Sequence, residues 1–444
     1  MKEKQSWNRL DNASNIFLAT RNDIDTKVFR FSVQMNDEVD PTLLQQALNQ
    51  VYQQYPLFHS MLRRGIFWYY LSENEQAPLI ELEIEPPCAP LYESGKENVL
   101  FRVLYNTHQI HLEVFHALTD GTGALWFFED LLSEYADLID AQSNIKVRHK
   151  EDLEDSFKHY FRGETNQSIF DQLLKPLKGI YQKIKPFEIL KSTQKPFKKT
   201  YQIKGTYTPD HRPRLVKCEM SSKQVLEISR KYGVSLTIYL SALFIISAYE
   251  TKKKKNKKTT ISISIPINLR QLFPSATVRN FFSTTIVSYT FLAHQEVDIE
   301  DVCQTLNKQF NLQLEKDAIE KRVSRLVAFE FHPLGRVILR VVKDFVLKIV
   351  NKINNRRISL AMSNLGVIKL PQNVQSQVSN IYFYTSVIRP QFCVNSYQDK
   401  LTIVFSSPYI EVDIFKHFIQ ILGSQDVSIS VDVNKVSEQE LSKS

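Results

Sequence analysis

The stretch of the sequence best suited to chemistry is His-Ala-Leu-Thr-Asp-Gly, residues 116–121. Polar and apolar residues alternate in the preceding segment, 109–115, and this pattern predicts a half-buried strand. Apolar residues recur at helical spacing in the following segment, 122–136, so His116 is predicted to lie on a strand-to-helix turn. A partly enclosed, neutral histidine at such a turn has the properties of a general base at neutral pH.

His116 has the parity of the apolar residues in the predicted strand, so its side chain should emerge on the buried side. It should also lie near the first amides of the helix, whose partial positive charge disfavours the imidazolium form. A second interpretation is open at this point. A lone histidine in this position can be a hydrogen-bonded core residue, with Asp120 as an ordinary helix N-cap.

Two further histidines, His108 and His111, precede this turn and raise the question of a metal site. Strand parity places His111 on the face opposite to His116, and His108 lies before the strand begins. We therefore expect no metal site. The cysteines lie far apart without a Cys-x-x-Cys pair, which argues against zinc or a disulfide framework and is typical of a reducing cytoplasm. They are Cys88, Cys218, Cys303 and Cys393.

Length and composition predict a globular protein of two domains, with 444 residues, 43% of them hydrophobic and 23% charged. No apolar run is long enough to span a bilayer, and the N-terminal residues are too polar for a signal peptide, so we expect a cytoplasmic protein. The net charge is +8, and six lysines lie in the short run 252–258. This run predicts a solvated loop or a contact with an anionic partner. Without interleaved aromatic residues it argues against nucleic acid.

The remaining periodicities predict an α/β protein in two halves, each with a mixed sheet. In the first half, Asp40 and Pro41 begin a helix as its cap and first residue, and residues 10–19 form a short entry of polar and apolar residues. In the second half, residues 299–321 predict one long helix. Strands of the second sheet are predicted at 214–220, 261–267, 283–289, 358–362, 379–385, 392–397 and 401–406.

The segment 335–357 has a strongly amphipathic and basic helical pattern. We predict that its apolar side packs on the core and that its basic side faces solvent. Peripheral contact with a membrane surface is the alternative interpretation, and it suits a lipophilic substrate.

Residues 116–121 match the His-x-x-x-Asp-Gly motif of the chloramphenicol acetyltransferase-like acyltransferases, which include condensation domains, wax-ester synthases and alcohol acetyltransferases. Three further segments resemble this family in the expected order: 265–270, 279–282, and 362–366 with Pro371. Arg279 stands where the family usually has glycine. Phe115 stands where condensation domains usually have a second histidine, so the chain looks most similar to stand-alone bacterial alcohol acetyltransferase-type proteins.

The resemblance implies two pseudo-symmetric, chloramphenicol acetyltransferase-like α/β sandwich domains with a central active-site tunnel. We place the first domain at 1–175, a connecting segment at 176–205 and the second domain at 206–444. The implied reaction moves an acyl group, first of all acetyl, from acyl-CoA to a small or lipophilic alcohol. Acyl-CoA is then a co-substrate, no cofactor is permanently bound, and the expected state is a monomer.

The resemblance also implies roles for individual residues. His116 would take the proton of the acceptor, and Asp120 would be structural, turned away from the substrates and paired with Arg270. An exposed arginine at the end of a strand is the alternative for Arg270. Gly121 would allow the start of the helix to lie against the tunnel without a side chain.

The oxyanion of the reaction needs a hydrogen-bond donor. Backbone amides near Gly121 are candidates, and the sequence does not choose among the side chains of Ser283, Thr284, Ser363 and Asn364. Asn280 is a further candidate for lining the tunnel. For Asn280 and Asn364, an asparagine that forms a turn is the alternative interpretation.

Two other functional hypotheses compete with an O-acyltransferase. One is an enzyme that acylates amines or takes its acyl group from a carrier protein, as condensation domains do. The other is a non-catalytic relative that binds lipid or lies peripherally at the inner membrane surface, which the lysine run and the basic amphipathic segments would suit.

Overall fold

The computed structural model describes residues 7–10, 12–74, 77–93, 99–141, 152–161, 200–331 and 340–441. The predicted connecting segment, 176–205, lies outside these ranges except for its last six residues. The strands are β1 (Trp7–Arg9), β2 (Val28–Met35), β3 (Ser60–Arg64), β4 (Tyr69–Glu73), β5 (Ile80–Leu82), β6 (Phe101–Tyr105), β7 (Gln109–Phe115), β8 (Arg214–Ser221), β9 (Thr259–Asn268), β10 (Phe282–Phe291), β11 (Leu360–Ile368), β12 (Val378–Thr385), β13 (Gln391–Tyr397), β14 (Lys400–Ser407) and β15 (Ser430–Val433).

The helices alternate with these strands, and short 3₁₀ turns follow α2 and β9. They are α1 (Asn12–Thr20), α2 (Pro41–Tyr52), α3 (Gly121–Ile139), α4 (Ser156–Phe161), α5 (Ser222–Lys231), α6 (Leu236–Glu250), α7 (Ile299–Leu314), α8 (Lys316–Phe331), α9 (Arg340–Asn355), α10 (Gln372–Gln375), α11 (Asp413–Gly423) and α12 (Glu438–Leu441). Among the described helices none is by itself long and apolar enough to cross a membrane. Only the pair α5 and α6, bent by 82°, reaches that length and composition together.

The first half is built on a five-stranded sheet with the order β12-β2-β7-β6-β5. Helix α2 begins where predicted, because the Asp40 carboxylate accepts hydrogen bonds from the amides of Thr42 and Leu43. The apolar sides of α2 and α3 pack on one face of the sheet and form one core with residues such as Leu112 and Phe128.

The second half is built on a seven-stranded mixed sheet with the order β10-β9-β11-β13-β14-β8-β15, in which β11 runs parallel to both β9 and β13. Helix α6 is buried along almost its whole length and forms a second core with residues from α5, α7 and α11. The lysine run 252–258 is the connection between α6 and β9, so it is a surface loop as one interpretation predicted. The predicted α/β architecture with two mixed sheets is confirmed.

The prediction that residues 379–385 belong to the second sheet is wrong. Strand β12 pairs antiparallel with β2 and completes the first sheet, with Ile381 opposite Val33 and Phe383 opposite Phe31. The alternating pattern of β12 fits either sheet, since it only requires one apolar and one polar face. The free edge beside β2 decided the pairing, and the second half of the chain thereby contributes a strand to the first.

Two helix predictions also need correction. The predicted helix 299–321 breaks at Glu315, whose ψ of 129° is extended, and the separate helix α8 packs Ile319 and Val323 against Phe157 and the cluster around it. No proline or glycine marks this break in the sequence. Residues 12–20, in a segment described only as a short polar and apolar entry, form helix α1.

Helix α9 does not pack as predicted. We expected its apolar side to face the core, but none of its residues is buried, and several of its large apolar side chains face outward. The helix contacts α1 and the turn between β3 and β4.

Candidate active site

His116 lies directly after β7, where the two halves of the protein meet. Its backbone amide donates a 2.8 Å hydrogen bond to the carbonyl of Lys27, just before β2, so the adjacent strands fix the position of the turn. The side chain keeps part of its surface open. This location between the halves is the one that the predicted central tunnel requires.

Among the residues that the structure describes, three phenylalanines have rings in contact with the imidazole of His116. Phe17 of α1 stacks on it with 4.1 Å between ring centroids, Phe29 of β2 meets it edge-on at 5.0 Å, and Phe282 of β10 lies at 5.6 Å. Phe17 and Phe29 were not predicted as site residues. Neither residue lies in one of the four segments that resemble the family, and no helix was predicted for the segment that carries Phe17.

Burial lowers the pKa of the His116 imidazole below its ordinary value of 6.5. The Asp120 carboxylate and hydrogen bonds to the His116 backbone and to Asn280 oppose this shift, whereas the Lys27 ammonium adds to it. The sequence predicted the same direction but assigned it to the amides at the start of α3. Because burial is the larger cause, the neutral form depends on the enclosure more than on the helix.

Asn280 fixes which nitrogen of His116 carries the proton. Its side-chain Nδ2 donates to the His116 carbonyl at 3.0 Å and to the Ser14 hydroxyl at 3.1 Å, so its Oδ1 must face the imidazole. His116 Nδ1 lies 3.2 Å from that oxygen and is therefore the protonated nitrogen. His116 Nε2 keeps its lone pair, and no hydrogen bond joins it to any other described residue. Asn280 thus orients the histidine, a role that the sequence did not assign to it.

Helix α1 also holds the turn at His116 in place, through hydrogen bonds of Ser14. The buried Ser14 hydroxyl donates a 2.8 Å hydrogen bond to the carbonyl of Ala117 while it accepts the one from Asn280. One helix turn later, Phe17 covers the imidazole. No local pattern predicts this network, because the contact between α1 and the turn joins residues about a hundred positions apart.

The Asp120 carboxylate is saturated with hydrogen bonds that lead away from His116. Its Oδ1 accepts from the amides of Thr122 and Gly123, both at 3.1 Å, and therefore caps α3. Its Oδ2 accepts from the Phe281 amide at 2.8 Å and from Arg270 Nη1 at 2.7 Å. A carboxylate held in this way is a scaffold and has no lone pair left for proton transfer.

The predicted pair of Asp120 and Arg270 is present, and it joins the two halves. Both side chains are only 7% exposed, so the alternative of an exposed strand-end arginine is wrong. Arg270 also donates to the carbonyls of Thr277 and Arg279, at 2.8 Å and 2.6 Å, and its guanidinium lies over the Trp126 ring. One arginine therefore shapes the connection between β9 and β10 and attaches it to the start of α3.

The glycine that is sterically required is Gly123, not Gly121. A Cβ at Gly123 would lie 2.2 Å from the Val278 carbonyl and from the Thr119 hydroxyl, which themselves form a hydrogen bond. A Cβ at Gly121 would approach only the flexible end of Leu365, at 3.3 Å. The close backbone contact of this turn thus lies at Gly123, while the role of Gly121 in leaving room for the tunnel stays a prediction.

Strand register places the predicted oxyanion donors on two different faces of the seven-stranded sheet. Thr284 lies two residues after Phe282, so both side chains are on the face that meets His116. The register of β10 and β11 against β9 puts Ser363 on the same face. Ser283 has the opposite parity, on the face that α7 covers.

Asn364 forms a turn, as the alternative interpretation predicted. Its Nδ2 donates to the Thr237 hydroxyl of α6 at 2.9 Å, and its Oδ1 accepts from the Gly366 amide at 2.7 Å. Gly366 has a φ of 72°, and the register of β11 shifts here. The resulting bulge carries Leu365 to the start of α3.

The histidine closest to His116 in sequence, His111, has both nitrogens engaged. Its Nδ1 lies 2.9 Å from the Ser32 hydroxyl and its Nε2 lies 3.1 Å from the Glu83 carboxylate. Within the described ranges no group of three metal-ligating side chains lies together. The arrangement around His116 offers one histidine base beside an open sheet face that carries hydroxyl groups.

A family model described as alcohol acetyltransferase matches residues 106–398. This range contains the strand before His116, the Arg270 pair, Asn280 and the bulge in β11. No sequence among curated proteins matches the chain significantly.

Solved structures with this fold cover nearly the whole chain at low sequence identity. The trichothecene 15-O-acetyltransferase from Fusarium sporotrichioides has 11% identity and a TM-score of 0.60, covering 95% of this chain and 94% of its own. The first condensation domain of the calcium-dependent antibiotic synthetase has 12% identity and a TM-score of 0.61, with 95% and 96% covered. The starter condensation domain of rhizomide synthetase, solved with C8-CoA, has 10% identity and a TM-score of 0.59, with 95% of each chain covered. The predicted fold class is confirmed.

Proposed function

Because the chain belongs to the alcohol acetyltransferase family, we propose that it transfers an acyl group from a CoA thioester to the hydroxyl group of an alcohol. Acetyl is the first candidate for the acyl group, and the acceptor is a small or lipophilic alcohol. His116 is the general base of this reaction. The observation that carries the proposal is the geometry of its imidazole, with Nδ1 committed to Asn280 and Nε2 left as a proton acceptor.

In the proposed mechanism, Nε2 of His116 accepts the proton of the alcohol while the alcohol oxygen attacks the thioester carbonyl carbon. The negative charge develops on the carbonyl oxygen of the tetrahedral intermediate. When the intermediate collapses, the carbon–sulfur bond breaks and the sulfur takes the proton from Nε2. The products are the ester and CoA with a free thiol, and His116 is neutral again. No covalent acyl-enzyme is needed, because the acceptor itself is the nucleophile.

The oxyanion is stabilised in this proposal by a hydroxyl group on the open face of the second sheet. Thr284 and Ser363 lie on the face that meets His116, whereas Ser283 lies on the covered one. A donor preoriented toward the oxyanion contributes about 10²–10³ to kcat in well-studied enzymes. Thr284→Val is therefore expected to lower kcat, with Ser283→Ala as the matched control on the same strand.

Two relatives support the choice of donor and acceptor. A solved relative with this fold is named as an O-acetyltransferase, and another was solved with an acyl-CoA. Condensation domains have the same fold, so an amine acceptor or a carrier-protein thioester is the competing chemistry.

Release of CoA thiol from acetyl-CoA and from longer acyl-CoA thioesters tests the proposal, with panels of alcohols and amines as acceptors. We expect thiol release that requires an alcohol and yields the corresponding ester. Turnover only with amines, or only with an acylated carrier protein as donor, would contradict the proposed substrate class. Equal turnover by the parent protein and the His116→Gln variant would contradict the role of His116.

A further inference from the structure

Helix α9 carries several of its large apolar side chains on the outside of the protein. Val341 is 69% exposed and Phe345 is 64% exposed, and the exposed Ile349 follows on the same line of the helix, four residues further on. Val342 and Val346 are also exposed and lie beside this line. The amphipathic helix of a globular domain normally turns such a stripe toward the core. The outer side of α9 is therefore a surface that a further molecule would cover.

The inner side of α9 is held by polar contacts. Arg340 donates from its amide and from Nη1 to carbonyls of the turn between β3 and β4, at 3.0 Å and 2.8 Å. Lys343 Nζ donates to the Phe67 carbonyl of the same turn at 2.9 Å, and Asp344 accepts from the Tyr69 hydroxyl at 2.8 Å. These bonds fix the orientation of the helix, so its apolar stripe points outward as a consequence of specific contacts.

The turn that holds α9 extends the apolar surface. Ile66, Phe67 and Trp68 follow one another at the tip of this turn, and all three are exposed, Ile66 by 72%. The tip is tight, because the Gly65 amide donates to the Trp68 carbonyl at 2.9 Å. We call residues 66–68 together with the outer side of α9 the docking face. Large apolar surfaces of this kind mark contacts with proteins or membranes.

The border of the docking face is basic. Lys348 and Lys352 are exposed and follow each other at a spacing of four residues, beside the line of Val341 and Phe345. The one carboxylate of α9, Asp344, is bound to the Tyr69 hydroxyl and faces Arg340. An apolar stripe with a cationic edge complements the surface of a bilayer, which offers apolar chains below anionic headgroups.

We propose that the docking face binds the surface of a bilayer that contains anionic phospholipids. In this orientation the apolar side chains of α9 and the tip residue Trp68 lie at the level of the headgroups and the first carbons of the chains, where tryptophan is favoured. Helix α9 packs on α1, whose Phe17 stacks on His116, so the bound protein holds the candidate active site one helix away from the lipid. The proposal concerns binding alone and does not depend on the reaction.

Flotation of the full chain with vesicles tests this proposal without any measurement of activity. We expect binding to vesicles of phosphatidylcholine with phosphatidylglycerol, weaker binding at high salt, and little binding to phosphatidylcholine alone. Phe345→Ser combined with Ile349→Ser should lower the affinity roughly tenfold or more, since each side chain no longer buries its apolar surface. Lys348→Gln combined with Lys352→Gln should lower it by roughly fivefold per lysine.

Matched control variants show whether binding depends on the docking face or only on the net charge and exposed apolar residues of the whole surface. Lys253→Gln combined with Lys254→Gln removes the same charge from the exposed loop after α6, and Leu312→Ser removes an exposed leucine from α7. Both controls should bind the anionic vesicles like the parent protein. All substituted side chains are exposed or partly exposed, and unchanged thermal unfolding verifies that the variants are folded.

Three results would overturn the proposal. One is the absence of binding to the anionic vesicles. Another is an equal loss of binding in the two double lysine variants, which would mean that net charge alone drives adsorption. The third is a dimer of the parent protein in light scattering that Phe345→Ser and Ile349→Ser convert to a monomer, because a second copy would then cover the docking face.

Discussion

The two histidines His111 and His116 lie five residues apart, and burial lowers the pKa of both. His111 lies inside a buried charged network on the face of the first sheet opposite α2 and α3. Its nitrogens meet Ser32 and Glu83, and Glu83 in turn pairs with the buried Arg30. Every polar atom of this imidazole is committed to a protein group.

The surroundings of His116 are mainly aromatic instead of charged. Three aromatic rings enclose it, and one amide, from Asn280, fixes its Nδ1. The nearby carboxylate of Asp120 is bound to Arg270 and to backbone amides, and none of these hydrogen bonds goes to the imidazole. The Nε2 atom of His116 has no hydrogen-bond partner in the part of the chain that the structure describes.

This difference shows that a lowered pKa does not by itself identify a catalytic histidine. Burial produces the same direction of shift in a structural histidine and in a candidate base. The distinguishing feature is a fixed nitrogen on one side of the ring and an accessible nitrogen on the other. The following experiments test whether the two histidines differ in function as they do in geometry.

The largest expected effect is on catalysis. His116→Ala should lower kcat by about 10²–10⁴, the usual contribution of a general base, while His111→Asn should leave kcat close to that of the parent. His111→Asn should instead lower the free energy of unfolding by about 1–3 kcal/mol, since it leaves buried polar groups without a partner. Steady-state kinetics and urea unfolding of both variants measure the two quantities. A large loss of kcat in both would remove the distinction between the histidines.

The buried ion pair between Arg270 and Asp120, compared with a more exposed pair elsewhere on the surface, provides the next test. Arg270→Met leaves Asp120 uncompensated and should lower the free energy of unfolding by about 3–5 kcal/mol. It should also lower kcat, because the connection that carries Asn280 is no longer attached to α3. Arg212→Met breaks a more exposed pair with Asp210 and should cost about 0–1 kcal/mol. Similar unfolding curves for the two variants would show that the bridge between the halves contributes little.

A smaller effect is expected at the two glycines of the turn. Gly123→Ala should destabilise the protein by about 1–3 kcal/mol, because the new Cβ collides with the Val278 carbonyl. Gly121→Ala meets only the end of Leu365 and should change stability by less than about 1 kcal/mol. Thermal unfolding of the two variants distinguishes them. Equal destabilisation would mean that the close contact at Gly123 is no more restrictive than the space around Gly121.

The smallest expected effects are in the pH dependence of stability and activity. The folded protein holds His111 and His116 with pKa values below 6.5, so the folded state binds fewer protons than the unfolded one. Stability should therefore decrease as the pH falls below about 6.5, and this decrease should be smaller in His111→Asn. The pKa of the Glu83 carboxyl is also lowered, by the His111 and Arg30 contacts that oppose its burial, and this adds a further loss of stability below about pH 4.5.

The pH dependence of the activity should reflect the titration of His116 alone. Its neutral form is the base, so kcat/KM should be constant through neutral pH and fall in acid with an inflection below 6.5. His111→Asn should leave this inflection in place. An inflection that moves with the substitution of His111, or one above 6.5, would contradict the assignment.

The sequence by itself determined the elements that local patterns encode. The strand before His116 and the helix cap at Asp40 each depend on a few neighbouring residues, and the structure has both. The strand is buried on both faces and not on one as predicted, because the charged network around His111 is itself enclosed. Four motifs in a known order were enough to predict the fold class and the pairing of Asp120 with Arg270. The domain limits and the catalytic role of His116 are still predictions.

Tertiary structure decided what depends on residues far apart in the chain. Strand β12 joined the first sheet because an edge was free there, and α1 placed Phe17 on His116. The separation of Thr284 from Ser283, and the close contact at Gly123, follow from which surfaces meet across the two halves. A periodic pattern states that a face must be covered, but only the folded chain shows by what. On the outer side of α9 the apolar side chains are exposed, and the proposed cover is the surface of a bilayer.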